Sequence, residues 1–440
     1  MPRVPGETAY PFGDDLTPNF QLEVVGQGPT QPSRLFESIR PLVQGVVVEH
    51  DEQMSSRLEV MVHVHPDSPI GQPVNWQAVL DNKAIAEGNV FELWMGRGAK
   101  REFMGRFEIT RWLPNLGATG PEPIVLKAYD GRHKMQLSNK EKVKGTRKIR
   151  KHVYKNLTDE DIVAQIADKY GYGSDVDATE DRRRTETITV GGKTTTTKVL
   201  TPRLQDVSTS DWEFLQKLAR IHRYDLWVDW SLKNHQWVVH FKQTQDAGQA
   251  LFHFQYGPNG DGSLISAQPT FSLTEQVTDV EVTHYDRKTR DITRTVVAET
   301  NPAEDVSVSG SVGRSLVARQ EMSSGASVRF RAFDQTIEAF SDRPFASKRE
   351  AQDFVRRWLL EREREFLILE GKVYGIPELK ARQIHLLTGM SKRMDGYYRF
   401  TNVTHPMGKG SETYECEFKA HKILSQDVVR RPITTKAKGK

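Results

Sequence analysis

Cysteine is nearly missing from this sequence: Cys416 is the only one in 440 residues. That excludes an intrachain disulfide and a cysteine-based zinc site, and it fits assembly in a reducing cytosol. No stretch approaches the run of about 18 apolar residues that a membrane-crossing helix needs, and Met1-Pro2-Arg3-Val4-Pro5-Gly6 lacks the apolar centre of a signal peptide. The expectation is a protein that stays where it is made, with no membrane in its assembled state. An excess of charge of one sign is also lacking. Lys plus Arg number 62 and Asp plus Glu 58, a net +4, which argues against a chain built mainly to neutralise nucleic-acid phosphates. Catalytic motifs are absent as well: there is no Gly-x-Ser-x-Gly elbow, no His-Glu-x-x-His pair and no cysteine nucleophile. This counts against an enzyme, and no catalytic, cofactor-binding or metal-binding residue is assigned. The absence of motifs does not exclude an enzyme, because paired glycosidase carboxylates have no fixed spacing.

What is present is enough apolar side chain to fold, with 37% hydrophobic and 27% charged residues. At roughly 150 residues per domain the length suggests about three domains, or two with a large insertion. The fold class expected is β-rich α+β: an antiparallel segment closed as a small barrel or sandwich, then an α/β segment, then a second strand-rich segment. An arm at 1–19, rich in Pro, Gly and Asp, precedes the first strand segment at 20–150. Its strands are read from alternation at Phe20, Leu22 and Val24, at Leu58 to Val64, at Phe91 to Met95, at Phe103 to Ile109 and at Ile124 to Tyr129, with Gly96-Arg97-Gly98 as a hairpin turn. In the insertion at 151–262, Thr158 to Asp161 and Ser210 to Glu213 are capping-box starts of two amphipathic helices, and Leu226 to Trp230 and Trp237 to Phe241 form a strand pair. Gly257 to Gly262 is a turn and a boundary candidate. The second strand segment at 263–425 draws on Val280 to His284, Phe366 to Val373, Ile384 to Leu387, Tyr397 to Val403 and Thr413 to Ala420. A helix at 347–364 starts at the capping box Ser347 to Glu350 and turns Phe354, Val355 and Trp358 inward. Tyr414, Cys416 and Phe418 share the inward face of the last strand, opposite Glu415, Glu417 and Lys419, so Cys416 reads as core. A basic tail occupies 426–440.

Three further features have a bland reading. Gly191-Gly192-Lys193-Thr194 ends like a nucleotide-binding loop, but Thr187 stands where the first glycine belongs and a threonine run follows in place of a helix. A Gly-Gly hairpin turn fits better. His63 and His65 share one strand face, yet no third metal ligand is signalled. The basic run Lys140 to Lys151 has no interleaved aromatics and reads as a solvated or subunit-contacting linker.

Taken together, three stretches resemble the contractile-tail baseplate hub family, also called late control protein D, which is similar to the hub portion of VgrG-like spikes. They are Leu157 to Val163 with Ile166-Ala167 and Tyr170-Gly171; Ser210 to Ala219; and Gly375 to Leu379 followed by Gly396 to Phe400 and Val403-Thr404-His405. The match runs from about residue 20 to 423. Where the family pattern usually places a glycine after Pro-x-Leu, this chain has Arg382. The resemblance implies that the segments at 20–150 and 263–425 are two antiparallel β-barrels similar to tail-tube subunits, separated by the α/β insertion, with the helix at 347–364 packed beside the second through Phe354, Val355 and Trp358. It also implies a homotrimer around a channel that joins a six-fold tail tube protein to a three-fold central spike protein, with other baseplate proteins as partners and DNA passing without specific binding. The location implied is the virion tail baseplate, assembled in the host cytoplasm, and the spike is expected to be a separate protein. The alternatives are a tail-associated cell-wall hydrolase and the equivalent hub of a secretion system or phage-like bacteriocin.

Overall fold

The computed structural model describes residues 17–25, 38–63, 76–98, 100–114, 116–117, 120–121, 123–137, 152–179, 183–190, 193–200, 202–206, 208–244, 250–257, 262–274, 276, 279–286, 291–298, 306–307, 337–340, 354–355, 358, 361–362, 364–408 and 413–423. The arm before Thr17, the run Lys140 to Lys151 and the tail at 426–440 lie outside these residues. One twelve-stranded sheet dominates, and the chain enters it twice, once before and once after a separate α/β unit.

The first visit contributes Pro18–Val25, Val43–Asp51, Arg57–Val62, Val90–Arg97, Lys100–Leu113 and Ile124–Tyr129, all antiparallel neighbours. Alternation produces these strands as expected, since Leu22, Val24, Leu58, Val60, Phe91, Leu93, Leu126 and Ala128 all point into the core. The hairpin lies where the glycines put it, with Arg97 opposite Lys100 and Gly98 at φ 56°. A Cβ on Gly96 would sit 1.9 Å from the Lys100 carbonyl oxygen, so no larger residue fits there. The strand Val43–Asp51, absent from the expected set, is the innermost of the six. Val46, Val47 and Val48 in succession hide its alternation, although Val47 alone of the three is not fully buried.

The second visit contributes His253–Gln255, Leu264–Phe271, Leu367–Tyr374, Ile384–Thr388, Gly396–Gly408 and Glu415–Lys422. Gly396–Gly408 organises them. Along one edge it pairs first with Ile384–Thr388 and then with Val43–Asp51, and along the other with Glu415–Lys422. The two halves therefore meet edge to edge, from Gly45 opposite Gly408 to Asp51 opposite Asn402, and share one continuous apolar core. Strands on both sides of the Gly257 to Gly262 turn belong to this half. No sheet closes into a barrel among the described residues.

The α/β unit has its own core, built on Met135, Tyr154, Ile162, Leu215, Val239 and Phe241. Both helices start as read. Thr158 Oγ1 accepts from the Asp161 N–H while the Asp161 carboxylate accepts from the Thr158 N–H, both at 3.2 Å. Ser210 and Glu213 reciprocate at 3.2 and 2.7 Å. The helices Asp159–Lys169 and Asp211–His222 cover a sheet of Gly173–Val176, Gln236–Gln243 and Tyr224–Ser231. Arg183–Val190 and Lys193–Leu200 pair as an antiparallel hairpin with Val190 opposite Lys193.

Two expectations about the second half are corrected. The strand Asp279–Asp286 does not join the large sheet; it pairs with Asp291–Ala298 and Ile337–Phe340 in a four-stranded sheet of its own. In the large sheet Leu367–Tyr374 pairs on one side with Leu264–Phe271, an edge strand with so few buried residues that alternation cannot reveal it. The helix expected at 347–364 lies largely outside the described residues, with helical positions at 354–355, 358, 361–362 and 364. Phe354 and Trp358 face the small sheet, where their rings meet Phe340 at 5.2 and 5.1 Å and the indole N–H donates to Glu338 at 2.6 Å. Hence Trp358 does not serve as a test of packing on the large sheet. Phe400 does, being fully buried with Phe418 stacked at 4.6 Å and His385 at 4.5 Å. Phe400→Ala should cost about 3–5 kcal/mol in urea unfolding, against under about 0.5 kcal/mol for exposed Met54→Ala.

Candidate functional site

The solvent side of the large sheet carries polar side chains in register across both halves. One row runs Arg57, Glu49, Thr404, Glu417, Lys372, Ser266, each opposite the next. A second runs Asp51, Asn402, Lys419, Glu370, Gln268. Period-two geometry makes this inevitable, because the alternate residues Val48, Val403, Phe418 and Leu369 are inside. Opposite charges pair between neighbouring strands, in these rows as Arg57–Glu49 at 2.6 Å, Lys372–Glu417 at 3.1 Å and Lys419–Glu370 at 2.8 Å, and beside them as Lys127–Glu59 at 2.9 Å. At the seam Asn402 donates to Glu49 at 2.7 Å and to Asp51 at 2.9 Å, tying the halves together. Exposed pairs of this kind contribute little stability each. Their consequence is that Arg57, Lys127, Lys372 and Lys419 already face carboxylates.

Buried polar contacts cross between the parts. Arg97, at the tip of the first-half hairpin, donates to the carbonyls of Tyr414 at 3.0 Å and Gly375 at 3.3 Å, and lies 4.2 Å from the Tyr374 ring centre. Arg399, 1% exposed, donates to Glu52 at 3.0 Å and to Asp225 at 2.7 Å, so one guanidinium binds the first half, the second half and the α/β unit. Burial alone would lower its affinity for the proton; the two carboxylates more than offset this and hold it charged.

Cys416 and His405 look like a nucleophile and base, with Sγ 3.2 Å from Nδ1. They cannot act as one. The His405 Nε2–H donates to the Leu379 carbonyl at 2.9 Å, which leaves Nδ1 as the acceptor, and the Tyr414 hydroxyl donates to it at 2.6 Å. Burial pushes the thiol up to about 12 and the imidazole down to about 4, so both stay neutral, and Cys416 is core as the alternation implied. His63 follows the Arg57–Val62 strand, while His65 lies outside the described residues, as do Gly191 and Gly192. Sequence reasoning missed the Arg399 junction, whose partners are 347 and 174 residues away and leave no local signal.

Burial also drives His385 down to about 3, among the rings of Phe252, Phe254 and Phe400. His385 and His405 both fold neutral, whereas the unfolded chain protonates each near 6.5. The unfolded state then binds the extra protons, so the stability is complete above about pH 6.5 and is lost as pH falls toward 4. Each ring should steepen the acid limb of stability by about 1.4 kcal/mol per pH unit. His385→Phe should lower the slope of unfolding free energy against pH by about 1.4 kcal/mol per pH unit in urea unfolding measured from pH 6 to 4.5; an unchanged slope would contradict the assignment.

No protein-family model matches the sequence, and no curated protein is similar enough in sequence to match. Solved structures do match in fold. The 43 kDa tail protein of prophage MuSo2 from Shewanella oneidensis superposes with a TM-score of 0.56 at 11% identity, over 92% of this chain and 98% of that one. A tail protein from Neisseria meningitidis superposes with a TM-score of 0.57 at 9% identity, over 93% and 99%. This chain thus shares its overall fold with these two tail proteins along nearly its whole length.

Proposed function

We propose that this chain is a structural component of a phage tail, specifically the baseplate hub of a contractile tail. In this reading it is a homotrimer that joins a six-fold tail tube to a three-fold central spike around a channel. The observation that carries it is the division of the large sheet into two six-stranded halves joined edge to edge. Three chains would present six such units, each standing for one tube-like barrel completed in the assembly, with the α/β unit inserted between them in sequence. The hub-like motifs and the fold shared with the two tail proteins support this.

The paired cations of the outer face suit a surface that DNA passes. A polyanion is held by free Lys and Arg, whose binding releases counterions. Here Arg57, Lys127, Lys372 and Lys419 each already face a carboxylate. A mechanical role needs no nucleophile, and the neutral, enclosed Cys416–His405 pair offers none. Mass photometry of the chain with its tail partners should show three copies, since a hub buries interfaces of roughly 2,000 Å² or more. Electron cryomicroscopy should relate the two halves by about a sixth of a turn about the trimer axis, as a six-to-three adaptor requires. A stable monomer beside its partners, or halves that cannot be superposed, would remove the adaptor reading. Clearing of a cell-wall suspension by the purified chain would favour the hydrolase instead.

A further inference from the structure

A cleft of about 590 Å³ separates the α/β unit from the large sheet. Its walls come from all three parts of the fold: His50 and Arg106 from the first half, Trp227 from the α/β unit, and Lys380, Arg382 and Arg399 from the second half. Arg382 is unusual in two respects. Its φ is 73°, in the left-handed region where a side chain is strained and glycine is at ease. Its backbone N–H donates to the Phe400 carbonyl at 2.7 Å, which holds the strained turn in place.

The guanidinium is also poorly satisfied. Of its five N–H groups, one reaches the Asp51 carbonyl at a long 3.4 Å, and the group lies 5.0 Å from the centre of the Trp227 ring. Among the described residues neither Arg382 nor Lys380 has a carboxylate within ion-pair distance. The carboxylates around the cleft are engaged elsewhere. Asp225 and Glu52 accept from Arg399 at 2.7 and 3.0 Å. Asp130 accepts from the backbone N–H groups of Ser56 and Arg132 at 2.8 and 3.0 Å, and Asp229 from His240 at 2.9 Å. His50, only 7% exposed, lines the same cleft with its Nε2 unpartnered among the described residues.

We propose that this cleft is an oxyanion site, in which the guanidinium of Arg382 and the ammonium of Lys380 hold a carboxylate or phosphate group. An arginine presents a planar fork that matches two oxygens of such a group, and the Trp227 ring, its centre 5.0 Å from the guanidinium carbon, lies against it. Backbone strain persists where the surroundings over-determine it, and here it delivers a cation to a cleft large enough for a side-chain carboxylate or a phosphate with its water. The shared chemistry has two sources, an acidic side chain of a neighbouring protein or phosphate itself.

The full-length chain is tested by thermal unfolding at constant ionic strength, in chloride with increasing sodium phosphate or a tetraglutamate peptide. The wild type should show a saturable rise in melting temperature. Arg382→Gly should weaken the apparent affinity by on the order of tenfold or more, and Lys380→Ala by less. In chloride alone Arg382→Gly should melt at or above the wild type, because glycine relieves the strained turn. A tighter response to the peptide assigns the site to a protein carboxylate, and a tighter response to phosphate assigns it to phosphate. The proposal is overturned if neither anion gives a saturable rise, or if Arg382→Gly keeps the wild-type affinity. It is also overturned if that variant melts well below the wild type in chloride, which would make Arg382 a pin against Trp227. Should Arg382→Gly not fold, Arg382→Gln, which removes the charge and keeps a side chain over the indole, is read by affinity in the same way.

Discussion

Seven residue pairs, from Gly45 opposite Gly408 to Asp51 opposite Asn402, join the two halves of the large sheet, and the rest of the architecture depends on them. Without this seam, Val43–Asp51 and Gly396–Gly408 would each present an unpaired edge over the length of the contact, next to a core that is continuous across it. Space at the seam is tight: a Cβ on Gly45 would meet the Met407 carbonyl oxygen at 3.0 Å. Asp51 and Asn402 lie 351 residues apart, so the seam cannot form until nearly all of the chain has been made. The side chains that seal it, Asn402 outside and His50 with His405 inside, come from both partners.

The α/β unit is attached by a different kind of contact. Its apolar core is separate, and the cleft beside it is crossed by Arg399 to Asp225, by Arg106 3.9 Å over the Trp230 ring and by Arg382 beside Trp227. Gly131 belongs to the same joint, since a Cβ there would lie 2.7 Å from the Trp237 ring. The unit is thus a body docked through charge and aromatic faces, next to a sheet held together by hydrogen bonds and apolar packing.

How much of this was legible follows from whether the signal is local. The capping boxes at Thr158 and Ser210 were, because a cap is made within four residues. So was the inward face of Tyr414, Cys416 and Phe418, because alternation fixes faces. Val43–Asp51 was not: its valine run conceals the period, and its importance lies in a partner near the other end of the chain. Leu264–Phe271 was not, because an edge strand needs few apolar residues and carries Pro269. The charged rows were visible only as single strands, since which Glu meets which Lys is set by register between strands. At Arg382 the sequence marked the position by the missing glycine, and the positive φ explains why a glycine would suit it.

The geometry of the seam also decides how the molecule carries load. Inter-strand hydrogen bonds lie perpendicular to antiparallel strands, so a force along Val43–Asp51 and Gly396–Gly408 places the whole ladder in shear, and its bonds must yield together. A force across the strands would open the same ladder one pair at a time from either end. The seam is therefore strong against a force along its strands and weak against one across them.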